Sequence, residues 1–190
     1  MIRNECPLRV AVVIGSTREG RIGDAVGRWF VGVAGRCEGV ELEVLDLLDH
    51  ELPVRHPGAV TPQMAAFAGR IGQADGFVVV TPEYNRSFPA SLKQAIDCAY
   101  DEWRAKPVGF VSYGYRFAGL YAVEQLRPVF TELHVVTMPG AVHIDLRHCD
   151  FARGRPPDEG LVHEAETMLG QLIWWGLALR DARAARPYAC

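Results

Sequence analysis

Apolar residues in this chain fall into short unbroken runs separated by stretches of helical period. Leu8–Ile14 (LRVAVVI), Gly76–Val80 (GFVVV) and Val108–Ser112 (VGFVS) are runs of the kind that form strands buried on both faces. Val40–Leu45 (VELEVL) alternates like a second strand in chain order, and His134–Thr137 reads as a fifth. Between them the period changes. Residues 21–35 place Ile22, Ala25, Val26, Trp29 and Val33 on one helical face. Thr61–Gln73 predicts a helix with Thr61 as N-cap and Pro62 in the first helical position. Pro89–Trp103 repeats Leu92, Ala95, Ile96, Ala99, Tyr100 and Trp103 at helical spacing. Ala118–Val129 predicts a fourth helix. A last one runs from Asp158 to about Ala184, with Leu161, Ala165, Met168, Leu169, Leu172 and Leu179 on one face. Residues 46–60, with Pro53, Pro57 and Gly58, read as a loop, and 139–157 as an irregular stretch.

Strands alternating with helices imply a parallel sheet covered on both sides. Right-handed crossovers leave few topologies. Five such units fit an α/β three-layer sandwich with a five-stranded parallel sheet of flavodoxin-like order 2-1-3-4-5. No repeat, low-complexity tract or linker interrupts the pattern, so residues 1–190 are expected to be a single domain.

Composition narrows the function. The chain is 49% hydrophobic and 23% charged, which excludes a disordered or collagen-like protein. A net charge of −3 argues against a nucleic-acid partner. The basic residues are 18 Arg and only 2 Lys, Lys93 and Lys106, a bias that an arginine-favouring genome explains. MIRNECPLRV is too polar for a signal peptide, and no apolar run reaches the roughly 18–20 residues of a membrane span. Cys6, Cys37, Cys98, Cys149 and Cys190 are odd in number and show no CxxC spacing, which points to reduced thiols. A cytoplasmic protein without a membrane partner is expected, with Cys190 a passive chain end.

In an open parallel sheet, ligands bind beyond the carboxyl ends of the strands, where the strand order reverses. Three segments leave those ends. Gly15–Gly23 (GSTREGRIG) offers glycines, hydroxyls, a helix N-terminus and two arginines, a combination suited to a phosphate. It lacks the lysine and Ser/Thr of an NTP-hydrolysing loop, and it is not GxGxxG. Thr81–Pro89 (TPEYNRSFP) is stiffened by two prolines and carries Glu83, Tyr84 and Asn85, which suit a flat heteroaromatic ring. Ser112–Gly119 (SYGYRFAG) crowds Tyr113, Tyr115 and Phe117 near Gly114, where backbone can approach closely.

Together, GSTREGRIG and TPEYNRSFPASLKQAID, in this order and spacing, resemble the NADPH-dependent FMN reductase family, which includes quinone, azo and chromate reductases. The resemblance spans roughly residues 8–145. It implies a homodimer or homotetramer holding FMN noncovalently. Hydride would pass from NADPH or NADH to the flavin, then to a flavin, quinone or other small aromatic acceptor. By position, Ser16, Arg18, Arg21, Ile22 and Gly23 would hold the phosphate. Pro82, Glu83, Tyr84 and Asn85 would line the isoalloxazine, with Ser112, Tyr113 and Gly114 at its other edge. No catalytic side chain is implied.

The third segment departs from the family pattern SYGG-x-SGG-x-RA, with Tyr115, Phe117, Ala118 and Tyr121 at the second glycine, the serine, the next glycine and the arginine. Tyr115 and Arg116 are expected to reshape or partly cover the flavin and so change acceptor choice. Rival readings are a flavodoxin-like electron carrier, a specialised biosynthetic reductase and a relative without flavin. Net charge and the arginine loop count against the carrier. His143, Asp145, His148, Cys149 and Asp150 resemble a metal cluster in composition, but a solvated loop is expected there. Lys93 and Asp97 predict an exposed i, i+4 pair or an inter-subunit bridge. Trp174 and Trp175 are expected to point apart, one of them into the core.

Overall fold

The computed structural model describes residues 6–55 and 57–189. Cys190 and residues 1–5 of the polar N-terminal segment lie outside the described residues. Strands β1 (Leu8–Ile14), β2 (Val40–Asp46), β3 (Gly76–Pro82), β4 (Pro107–Gly114), β5 (Val136–Thr137) and β6 (Val142–Asp145) form one sheet. Helices α1 (Gly23–Ala34), α2 (Pro62–Gln73), α3 (Ala90–Asp97), α4 (Leu120–Glu132) and α5 (Glu159–Ala185) cover it. The order is β2-β1-β3-β4-β5, the flavodoxin-like order expected from the sequence, and all pairs are parallel.

Period-2 alternation divides the core between the two faces. Ala11, Val13, Phe77, Val79, Val108 and Phe110 pack under α2, α3 and α4, where Phe67, Ile96 and Phe130 meet them. Val10, Val12, Ile14, Val78, Val80 and Val111 face α1 and α5 and meet Phe30, Met168 and Leu172. Thr61 caps α2 by accepting a hydrogen bond from Met64 N at 3.2 Å, and Pro62 opens the helix as expected. Asp158 caps α5 in the same way through Leu161 N at 3.0 Å.

Four expectations are corrected. The segment 139–157 is not wholly irregular, because β6 lies within it and pairs with β4. Val108 is opposite Thr137, but Val111 is opposite Val142, so two extra residues separate β5 from β6 along the same edge. Pro139 falls in that interval and has no N–H to give a ladder. Second, α3 ends at Asp97, and Asp101–Trp103 form a separate 3-10 turn. Ala99 and Trp103 are buried all the same, so the apolar period reported burial rather than continuous helix. Third, α4 begins at Leu120, after Ala118 (φ 51°) and Gly119 (φ 86°) in left-handed conformations, and continues past Pro128. Last, neither Trp174 (64% exposed) nor Trp175 (38%) is in the core. Their rings meet edge-on at 5.1 Å, while Leu169, Leu172 and Gly176 carry the buried face of α5.

Among the described residues no helix is long and apolar enough to cross a membrane. Cys6, Cys37, Cys98 and Cys149 are free thiols.

At the amino edge of the sheet, buried Lys106 donates to the carbonyls of Ile71 (2.9 Å) and Gly72 (3.0 Å) at the end of α2. Burial, followed by the nearby Arg183, lowers its pKa from the ordinary 10.5 to about 8. Between those values the unfolded chain binds the additional proton, so folding stability from this group rises with pH. In urea unfolding, the stability of the wild type relative to Lys106→Met should increase by about 1–2 kcal/mol between pH 8 and 10. A flat difference would refute this assignment.

Candidate active site

The loops after β1, β3 and β4 open side by side at the carboxyl edge of the sheet and are bonded to one another. Gly15 N donates to Val80 O at 2.9 Å, and Glu83 N donates to Tyr113 O at 3.2 Å. The hydroxyls of Ser16 and Tyr84 lie 3.0 Å apart, joining the first loop to the second. Ser91 at the start of α3 donates to Gly15 O at 2.8 Å. Glu83 accepts from Tyr121 N at 3.1 Å, so a carboxylate of the second loop serves the first turn of α4. Gly119, the N-cap of that helix, makes no side-chain cap of its own.

The residues expected to hold a phosphate divide into two groups. Thr17, Arg18, Glu19 and Gly20 are exposed, and Arg18 lies over the Tyr84 ring at 5.1 Å. Ile22 is the N-cap of α1 and Gly23 its first residue, and no side chain caps this helix. Its amino end therefore has backbone N–H groups to offer an anion, beside the Asp24 carboxylate of the first turn, which pairs with Arg28 at 2.9 Å. Ser16 is fully buried. Arg21 has a partner of its own. It grips Asp46 at the end of β2 with both terminal nitrogens and donates to Ser16 O at 2.5 Å. The pair is only 11% and 13% exposed, and the hydrogen bond to Asp46 raises the arginine pKa further.

Magnitudes decide what Arg21 does. Taking one partner from a buried ion pair costs about 3–5 kcal/mol. A charge-assisted hydrogen bond to phosphate returns about 1.5–3 kcal/mol. Arg21 therefore keeps its grip on Asp46 and fixes the loop, and Arg18 is the exposed guanidinium of the loop without a carboxylate partner among the described residues. Asp46 also caps the following 3-10 turn by accepting from Leu48 N at 3.0 Å. Sequence reading missed Asp46, because its partner is 25 residues away and no local motif links them.

In the second loop, Pro82 is the buried last residue of β3, Tyr84 is half-buried and Asn85 is exposed at the tip. Tyr84 N donates to Ser87 O and Ser87 N to Tyr84 O, closing a two-residue turn with Asn85 (φ 51°) and Arg86 (φ 65°) at its centre. In the third, Ser112 and Tyr113 are buried and Gly114 is half-exposed, while Tyr115 stands out from the surface at 70% exposure. Ser112 Oγ donates to Ala118 O at 2.8 Å and lies 2.7 Å from His143 Nδ1. His143 is thus held by the loop, and burial lowers its pKa. Asp145 pairs with Arg147 (2.5 Å), and among the described residues no three His, Cys, Asp or Glu side chains form a metal cluster. Lys93 and Asp97 pair within α3 at 2.6 Å.

Two glycines show how tightly the third loop packs, one against the start of α1 and one on the loop itself. A Cβ on Gly23 would fall 2.7 Å from the Tyr113 hydroxyl, and one on Gly119 would fall 2.5 Å from Ser112 Cβ. The Tyr113 hydroxyl is buried beside the Ser16 hydroxyl, which is itself bonded to Tyr84, and it makes no well-formed hydrogen bond among the described residues; burial raises its pKa. It stands at the uncapped start of α1. This donor, the open helix end and exposed Arg18 fit a phosphate monoester, and the stiff Tyr84–Asn85 loop beside Gly114 fits a flat ring. Beside the first loop, Thr17, Leu47, Leu52, Ala90 and Gln94 are among the residues lining a cavity of about 300 Å³.

Residues 8–148 match the profile of the family described as NADPH-dependent FMN reductase. The chain is 38% identical over 144 residues to an NAD(P)H-dependent FMN reductase of Schizosaccharomyces pombe, covering 69% of this chain and 71% of that protein. It is 34% identical over 143 residues to a probable NADPH:quinone oxidoreductase of Oryza sativa subsp. japonica, covering 70% and 72%. Among solved structures, FerB, a flavoenzyme NAD(P)H:(acceptor) oxidoreductase from Paracoccus denitrificans, aligns with a TM-score of 0.73 at 24% identity, covering 90% of this chain and 98% of that one. That likeness bears on the fold.

A buried hydroxyl without a well-formed hydrogen bond gains the free protein little and is available to a bound ligand. Tyr113→Phe should therefore leave the melting temperature of the flavin-free protein unchanged or slightly raised. It should weaken FMN binding by about 5–10-fold. Thermal unfolding and FMN titration check the two halves, and a variant that unfolds early with unchanged FMN affinity would contradict both.

Proposed function

This chain belongs to the NADPH-dependent FMN reductase family, an oxidoreductase family that works with FMN and NAD(P)H, and on that premise we infer that the three loops at the carboxyl edge of its sheet hold the FMN and present it to a flavin, quinone or other small aromatic acceptor. The observation that carries this assignment of the site is the Tyr113 hydroxyl, buried beside Ser16 without a well-formed hydrogen bond and next to Gly23 at the start of α1.

In this reading Arg18, the backbone of Ser16–Gly23 and the N-terminus of α1 take the phosphate. Arg21 positions that loop through Asp46 and Ser16 O. Tyr84 and Asn85 line the ring, with Pro82 and Glu83 supporting them from β3 and α4, and Ser112, Tyr113 and Gly114 bound its other edge. When bound, FMN supplies the two-electron chemistry, accepting a hydride from the nicotinamide and passing reducing equivalents to the acceptor. The protein's part is placement. The Ser16–Tyr84 and Glu83–Tyr121 bonds hold the loops at a fixed spacing, and the aromatic rim of Tyr115 and Phe117 limits access of water and substrate from one side.

Residues 1–190 serve as one flavin-binding domain, and we place the enzyme in the cytoplasm as a homodimer or homotetramer. Support for assembly comes from the groove between α3 and α4. There half-exposed Tyr100, exposed Pro128 and partly buried Val129 lie among Lys93, Asp97 and Glu132, a mixed apolar and charged surface of the sort that subunits cover.

Purified protein should release FMN on heating, and its visible flavin band should bleach when NADPH or NADH is added without oxygen. Bound FMN that neither nucleotide bleaches would defeat the reductase reading. Failure to bind FMN at all would defeat the site.

A further inference from the structure

Away from the site loops, most described arginines meet a carboxylate: Arg9 with Glu41, Arg70 with Glu43, Arg127 with Glu124 and Arg183 with Asp75 are examples. Arg86 and Arg116 do not. Both are exposed on the loops after β3 and β4, and among the described residues neither guanidinium meets a carboxylate. Each lies instead on an aromatic ring. The Arg86 guanidinium carbon is 3.7 Å from the Tyr121 ring centre, and that of Arg116 is 5.2 Å from the Phe117 ring centre. The two rings meet edge-on at 4.8 Å. Arg86, Tyr121, Phe117 and Arg116 thus form one continuous array, with a cation at each end.

The array is held in place. Glu83 accepts from Tyr121 N at 3.1 Å, and Gln125 donates to Arg86 O at 2.8 Å while accepting from Ser87 Oγ at 2.6 Å. Arg86 also occupies a left-handed position (φ 65°) in a turn where glycine is the usual residue. A long side chain kept there against the backbone preference is a local conflict of the kind that marks functional sites. Neither guanidinium forms an ion pair with Glu83, which accepts from Tyr121 N, or with Glu124, which pairs with Arg127. Arginine suits this place because its planar cation stacks on rings and forks onto anionic oxygens.

We propose that this array determines the specificity of the oxidoreductase for the aromatic substrate that meets the flavin, favouring a planar ring with an anionic group over its neutral counterpart. The inference rests on the FMN reductase reading for its chemistry. The anionic group belongs either to the acceptor or to the phosphate of the nicotinamide nucleotide. In both cases the ring stacks along the rim and the guanidinium ends take the charge.

The test uses the FMN-loaded protein and two variants. Arg86→Gly suits the left-handed turn, and Arg116→Gln gives up only a ring contact, so neither is expected to disturb folding. Calorimetry with naphthalene-2-sulfonate, which is redox-inert, should show binding weakened about tenfold or more in the double variant. Steady-state rates then separate the sources. If the anion is on the acceptor, the kcat/KM ratio for 1,4-naphthoquinone-2-sulfonate over 1,4-naphthoquinone falls about tenfold in the double variant. If it is on the nucleotide, the NADPH-over-NADH ratio falls instead. Either fall supports the array, and unchanged sulfonate binding with both ratios unmoved overturns it. Absence of FMN reduction in the wild type would count against the enzyme reading, while sulfonate binding would still decide whether the array takes anions.

Discussion

A parallel strand can be followed by its parallel neighbour only if the chain crosses back over the sheet, and here every such return is made with a helix packed on one face or the other. Both faces are therefore buried, and the strand ends are what remains open. This constraint puts the loops after β1, β3 and β4 at one edge. It also explains where buried polar residues occur. Ser16, Thr81 and Ser112 are fully buried, and each sits where a strand hands over to its loop. Their hydroxyls are all engaged at this edge: Ser16 with Tyr84 of the second loop, Thr81 with the carbonyl of its neighbour Pro82, and Ser112 with Ala118 O across its own loop. A polar group buried without such a bond is costly, and among the described residues the Tyr113 hydroxyl, beside Ser16, lacks a well-formed one.

The arginine excess takes on structure in this light. On the helices and the amino edge, arginines are mostly balanced by local carboxylates that are exposed and of modest energetic weight. At the carboxyl edge the pattern changes. Arg21 is nearly buried and is committed to Asp46, so it acts as a brace for the first loop. Arg18, Arg86 and Arg116 lie on aromatic rings with no carboxylate partner among the described residues. A chain of net charge −3 thus keeps a small concentration of positive charge at one edge.

Much of the fold was legible because its signals are local or strictly periodic. The apolar runs at Leu8–Ile14 and Gly76–Val80 gave their strands, and Thr61 with Pro62 marked the start of α2 to the residue. The sheet order followed from topology. The failures came where tertiary contacts override local pattern. Leu92 to Trp103 kept an apolar period because Ala99 and Trp103 are buried, although the backbone leaves the helix at Cys98. β6 is four residues long and follows Pro139 and Gly140, so its short alternation of Val142 and Ile144 with His143 and Asp145 is too brief to stand out as a strand. The three ligand loops could be found by position, but the Arg21–Asp46 pair and the Arg86–Tyr121 stack join residues distant in sequence. Such pairs become visible only when the sheet has brought the loops together.

The central claim is that the first loop and the open end of α1 bind the phosphate of the flavin, with Arg18 as the charge that meets it. The most direct measurement is a pair of titrations of the flavin-free protein, one with FMN and one with riboflavin, which differ only in that phosphate. Two or more charge-assisted hydrogen bonds correspond to FMN binding tighter by about 100-fold or more. Equal affinities for the two would contradict the account.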